Sequence, residues 1–104
     1  MLATDWAEDA IELLRRNAER TDVQLRVAHV RWSEPEPFLR AAPWDLVLGA
    51  DLLYEERNAD QLATLLPRLG GEMLLAEPGR PHAQDFLRRF GAEAVAERIY
   101  RLAC

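Results

Sequence analysis

Short apolar runs alternate with longer amphipathic stretches along this chain. Leu2-Ala3-Thr4 reads as the end of a strand. Residues 6–20 place Ala10, Leu13, Leu14 and Ala18 at helical spacing, which predicts an amphipathic helix. Asp5 and Glu8 have the spacing of an N-terminal capping pair for it. Thr21-Asp22 predicts a turn, and residues 24–30 a second strand. Residues 31–43 contain three prolines and read as a loop, with one helical turn over 38–41. Residues 44–50 form the third strand. Its Val47-Leu48 run lacks polar alternation, as in a parallel strand covered on both faces. A helix is expected over 59–66, ending near Pro67, with Gly70-Gly71 as its stop. Residues 72–77 form a fourth strand, Pro78-Gly79-Arg80-Pro81 a turn, and 82–90 a short helix containing Phe86 and Leu87. One or two further strands are expected near Val95 and Ile99-Tyr100.

That order of strands and helices predicts an α/β fold: a doubly wound, mostly parallel sheet with helices on both faces, in three layers. The 104 residues allow one small domain, and a hydrophobic fraction of 49% is enough to build a core. No internal repeat, linker or low-complexity tract interrupts it.

Composition narrows the function. The net charge is −5 and no basic run is present, which argues against nucleic acid as a partner. All 13 basic residues are arginine, so no mechanism can use a lysine of this chain. A lone cysteine, Cys104, rules out a disulfide within the chain and reads as a frayed terminus. No apolar stretch approaches membrane-spanning length and no signal-peptide pattern precedes the first strand, so a reducing, cytoplasmic setting is expected. His29 and His82 have no second ligand at metal spacing, so no metal site is expected.

The candidate chemistry lies at the carboxyl ends of successive expected strands, where open α/β sheets bind ligands. Asp5 ends the first strand, Trp32 follows the second, and Ala50-Asp51 ends the third. A carboxylate there can accept hydrogen bonds from both hydroxyls of a ribose. A tryptophan can flank a purine, and a small residue lets a ligand lie against the backbone. Together they outline a nucleoside site. Glu77 and Arg80, at another strand end, are placed to touch substrate. Plainer roles stand beside these: Asp5 and Asp51 as helix caps, Trp32 and Tyr54 as packing residues, and, as the favoured reading, Glu77 and Arg80 as turn stabilisers. Trp6 and Trp44 read as packing residues, and RRNAER as a solvated helix face.

The order and spacing of ATD, RRNAE, VRW, WDLVLGADLLYE and LLAEPGR resemble the class I, seven-strand S-adenosylmethionine-dependent methyltransferases. Within them it looks specifically like the lysine-methyltransferase-like family that includes relatives of nicotinamide N-methyltransferase. WDLVLGADLLYE is the most specific piece. The resemblance implies S-adenosylmethionine as cofactor, with Asp5 on its ribose, Trp32 on the adenine side and Ala50 lining it. It implies that Asp51 and Tyr54, in an acid-x-x-aromatic signature, orient the methyl acceptor, a protein nitrogen or a small amine. The family's first strand and glycine-rich turn have no counterpart here, and Gly49, Gly70, Gly71, Gly79 and Gly91 do not form such a loop. Residues 1–104 therefore read as the carboxyl-terminal part of a methyltransferase domain. Met-Leu-Ala-Thr-Asp resembles a strand interior in which a GTG valine codon has been taken as a start.

Two other functions compete. One is a non-catalytic remnant or binding fragment, self-associating through an exposed sheet edge. The other is a receiver-like phosphoacceptor domain, with the aspartate nucleophile on the strand WDLVLGAD and Asp5 as a metal-binding acid. That mechanism needs a lysine at a later strand end, and the chain has none.

Overall fold

The computed structural model describes residues 1–104, which divide into two compact units, Met1–Pro37 and Phe38–Cys104. The fold is mixed α/β, with four helices and two sheets.

The amino-terminal unit is a strand–helix–strand motif. Strand β1 (Leu2–Asp5) and strand β2 (Arg26–His29) pair in parallel, from Leu2 opposite Arg26 to Asp5 opposite His29. Helix α1 (Glu8–Arg20) connects them, burying Ile11 and half-burying Ala10, Leu14 and Ala18. Glu8 and Asp9 in its first turn and Arg20 in its last complement the helix dipole. The expected pairing of Asp5 with Glu8 does not form. Ala7 occupies the N-cap, and Asp5 Oδ1 instead accepts the Ala7 N–H at 3.0 Å. The acid thus shapes the turn entering the helix rather than capping the helix itself. Trp6 is 62% exposed, not packed as expected, because it lies in the bend between strand and helix.

Helix α2 (Glu36–Leu39) is a single turn, two residues earlier than expected. In the carboxyl-terminal unit, strand β3 (Leu46–Ala50), helix α3 (Glu56–Leu69), strand β4 (Glu72–Ala76), helix α4 (Ala83–Arg89), strand β5 (Glu93–Ala96) and strand β6 (Ile99–Ala103) follow in turn. The sheet order is β3-β4-β6-β5. Pairing is parallel for β3–β4 and antiparallel for β4–β6 and β5–β6. Only Glu97 and Arg98 join β5 to β6, too short a connection for the crossover that parallel strands require. Helix α3 runs through Pro67 rather than stopping before it, and ends at Gly70. Gly70 and Gly71 adopt φ of 72° and 75°, turning the chain into β4. A Cβ on Gly71 would collide with the Trp44 carbonyl oxygen.

The core of this unit gathers Met73, Leu75 and Leu102 from the sheet with Leu62, Leu65, Leu66, Leu69, Phe86 and Leu87 from α3 and α4. Strand β3 is not covered on both faces. It pairs only with β4, and Leu46 and Leu48 are 48% and 66% exposed. Val47 and Gly49 alternate inward. Side-chain ends fill the space beside Gly49: an added Cβ would lie 2.6 Å from Met73 Cε and 2.5 Å from Leu52 Cδ1. Trp44 does pack as expected, its Nε1 donating to the Phe38 carbonyl at 2.9 Å. Cys104 is not frayed, since its N–H donates to the Gly71 carbonyl at 3.1 Å.

Candidate functional site

In the amino-terminal unit the two sequence candidates follow the ends of the paired strands. Asp5 is the last residue of β1 and is half-buried. Its main-chain oxygen accepts the Val30 N–H at 3.0 Å, extending the ladder past His29. Its Oδ1 is engaged by Ala7, while Oδ2 has no protein partner. His29 Nε2 donates to the main-chain oxygen of Trp6, tying the loop after β1 to the end of β2. Trp32 follows two residues after the buried Val30 and is itself half-buried. A groove of about 760 Å³ lies at the other end of these strands, lined by Met1, Arg15, Glu19, Asp22, Arg26 and their neighbours. Neither Asp5 nor Trp32 lines it.

In the carboxyl-terminal unit the residues after β3 and β4 converge. Ala50 is exposed, and Asp51 N–H donates to the Ala76 carbonyl at 2.9 Å, just past the paired ends of the strands. Asp51 has φ of 50°, a left-handed conformation that aspartate adopts more readily than most residues. Arg80 meets it with a fork: Nε to Oδ1 at 2.9 Å and Nη2 to Oδ2 at 2.8 Å. These hydrogen bonds, and secondarily the guanidinium charge, hold the Asp51 carboxyl below its ordinary range and raise Arg80 in turn. In Leu52-Leu53-Tyr54, Leu53 is fully buried and Tyr54 is 43% exposed. The signature therefore anchors itself in the core between two polar groups that face solvent.

Sequence reasoning undervalued Glu77 and Arg80. Glu77 is the one buried charged residue, 2% exposed. Its Oε1 accepts the N–H groups of Gly79 at 2.9 Å and Arg80 at 2.7 Å, while Oε2 is buried without a partner. The signal was present: an acid closes the apolar run MLLA and is followed by Pro-Gly-Arg. A turn-stabilising role is correct for Glu77, but Arg80 also reaches across to Asp51. No group of three or more His, Cys, Asp or Glu side chains is arranged to hold a metal ion.

A strand-end acid, an aromatic two residues past the next strand, and a second acid followed by an aromatic three residues later form an ordered set. The lysine methyltransferase family matches the chain over residues 1–87. The chain belongs to this family. Membership makes it one of the S-adenosylmethionine-dependent methyltransferases and implies that cofactor as methyl donor. No curated protein matches the chain. Asp5 keeps one carboxylate oxygen without a protein partner, and Trp32 is half-buried. No helix is long and apolar enough to cross a membrane.

Proposed function

We propose that the chain serves an S-adenosylmethionine-dependent N-methyltransferase whose acceptor is a nitrogen of a protein side chain or a small amine. The observation that supports this most is Asp51. It stands at a strand end, ionised, with both oxygens already accepting from a cationic side chain. A carboxylate so arranged suits an ammonium or amine.

In this reading Asp5 receives the ribose hydroxyls and Trp32 flanks the adenine, both on the amino-terminal unit. On the carboxyl-terminal unit, Ala50 lines the cofactor through its exposed, small side chain. The bound cofactor supplies an electrophilic methyl group on a sulfonium. Asp51 accepts an N–H of the incoming amine and holds its lone pair in one direction. Tyr54 borders the approach and excludes water from one side. Positioning and desolvation of this kind account for much of the acceleration in a direct displacement. The fold inferred for the chain is the doubly wound sheet of the seven-strand type. It is kin to the nicotinamide N-methyltransferase relatives and works in a reducing cytoplasm.

The test is methyl transfer from labelled S-adenosylmethionine to amine and protein acceptors, with calorimetry of cofactor binding alongside. Asp51→Asn should depress turnover while cofactor affinity is largely kept. Loss of cofactor affinity with unchanged turnover per bound cofactor would reassign Asp51.

A second reading, a binding fragment without turnover, is favoured by one observation. The apolar strand β3 has an unpaired edge and exposes Leu46 and Leu48. Millimolar or absent cofactor binding by calorimetry, without methyl transfer, would select it.

A further inference from the structure

We propose that Glu77 and Arg80 are positioning residues that fix the Asp51 carboxylate for the acceptor, linked through the turn at Pro78-Gly79. The proposal rests on the reading of Asp51 as the acceptor-orienting acid, and it adds two residues and a direction of action.

The link begins with a buried charge. A buried carboxylate is unfavourable unless its oxygens are satisfied. Glu77 satisfies only one, using Oε1 for the two main-chain N–H groups of Gly79 and Arg80. Gly79 stands at φ of 104°, a conformation that needs glycine. Nothing lies within 4 Å of the position its Cβ would take, so the backbone conformation and not crowding calls for glycine here. The Glu77 carboxylate clasps the turn through its two N–H groups. The Glu77 main chain is itself fixed, its N–H donating to the Arg98 carbonyl at 2.9 Å at the β5–β6 hairpin.

The clasp fixes where the Arg80 side chain starts, and the fork fixes where Asp51 ends. Two parallel N–H···O bonds make the carboxylate coplanar with the guanidinium, which one point charge could not do. An ionised carboxylate has about four acceptor positions. The fork uses one on each oxygen and leaves the others open to an amine. Both side chains are 45% exposed, and exposed ion pairs add little to stability. Fixing the direction of Asp51 is therefore the larger effect of the pair.

The experiment follows the Asp51 carboxyl by ¹³C NMR through a pH titration of the full chain, which needs no turnover. The charged group acting on Asp51 is Arg80, and Glu77 acts in turn on Arg80. Arg80→Gln should move the Asp51 midpoint upward, because the ionised form loses its donors. Arg80→Lys should recover only part of that shift, as a lysine cannot fork. Glu77→Gln retains an acceptor oxygen for the turn but loses the charge that strengthens both bonds. It should move the midpoint part of the way up, with Arg80 intact. An unchanged Asp51 titration in Glu77→Gln, or full recovery by Arg80→Lys, would overturn the proposal. If Glu77→Gln does not fold, the exposed Arg80 pair of variants decides alone. Methyl-transfer kinetics separate this outcome from the reading beneath it. If Asp51→Asn leaves turnover unchanged, the acceptor role of Asp51 fails whatever the titrations show. If Asp51 matters, Arg80→Gln should lower kcat with cofactor affinity unchanged.

Discussion

Asp51 couples a left-handed backbone to an ionised side chain, and both follow from its place just beyond a strand end. Its pH behaviour has a definite sign. The folded-state value lies below the ordinary carboxylate value because Arg80 donates to the ionised form. The associated stabilisation is therefore present above that ordinary range and is lost as pH falls through the lowered folded value. Denaturant melts across an acid series should show the wild type only slightly more stable than Asp51→Asn at neutral pH. The gap should close as acid protonates Asp51. Asp5 supports a second prediction. Asp5→Asn retains an oxygen to accept the Ala7 N–H while removing the charge, so the turn into α1 should survive. Loss of charge-assisted hydrogen bonding to a ribose should weaken cofactor binding by about 1–3 kcal/mol. Equal affinities by calorimetry would leave Asp5 with its turn alone. These acids were legible in the sequence because strand ends were legible. The Arg80–Asp51 pairing was not, since it joins residues 29 positions apart whose approach depends on strand register.

At the scale of elements, apolar runs and helical spacing located all the major strands and helices, while local chemistry moved their ends. Pro67 lies in the last turn of α3. A proline near a helix end is not a reliable stop, because the packing of Leu65, Leu66 and Leu69 continues across it. The actual stop is the glycine pair. Gly71 is subject to two constraints, a positive φ and a neighbouring backbone oxygen, whereas Gly79 has only the first. Placing a non-glycine residue in such a backbone region costs about 1–3 kcal/mol. Gly79→Ala should lose about that much in urea unfolding. Gly71→Ala should lose more, because the Trp44 carbonyl is main chain and cannot swing aside. Equal losses would mean that the β3 entry relaxes freely. The β5–β6 hairpin was foreseen only as one or two strands. Its alternation is weak, and Ala94, Val95 and Ala96 are all exposed.

For the molecule as a whole, the contrast is between what β3 is made of and where it lies. Leu-Val-Leu-Gly-Ala is the composition of an interior parallel strand, yet β3 ends its sheet with β4 as its only partner. The expectation of burial on both faces followed from that composition, but composition does not say how many partners a strand has, and β3 has one. Residues alternating along a strand share a face, as do their register partners. Leu46, Leu48 and Ala50 therefore stand beside Glu72, Leu74 and Ala76, with Ile99 next to Ala76 on β6. The open face is thus mostly apolar toward β3. Toward β5 it becomes charged, where Arg101 pairs with Glu93 at 2.9 Å. An unpaired strand edge next to exposed leucines is a template for association. A second copy of the chain is the partner always present in a purified sample. Sedimentation equilibrium should accordingly show a mass that rises with concentration. Leu48→Lys places a charge on this face at a position already 66% exposed, so it should shift the chain toward monomer without lowering its unfolding midpoint. If the wild type stays monomeric at high concentration, or Leu48→Lys associates as strongly, β3 is not the self-associating surface.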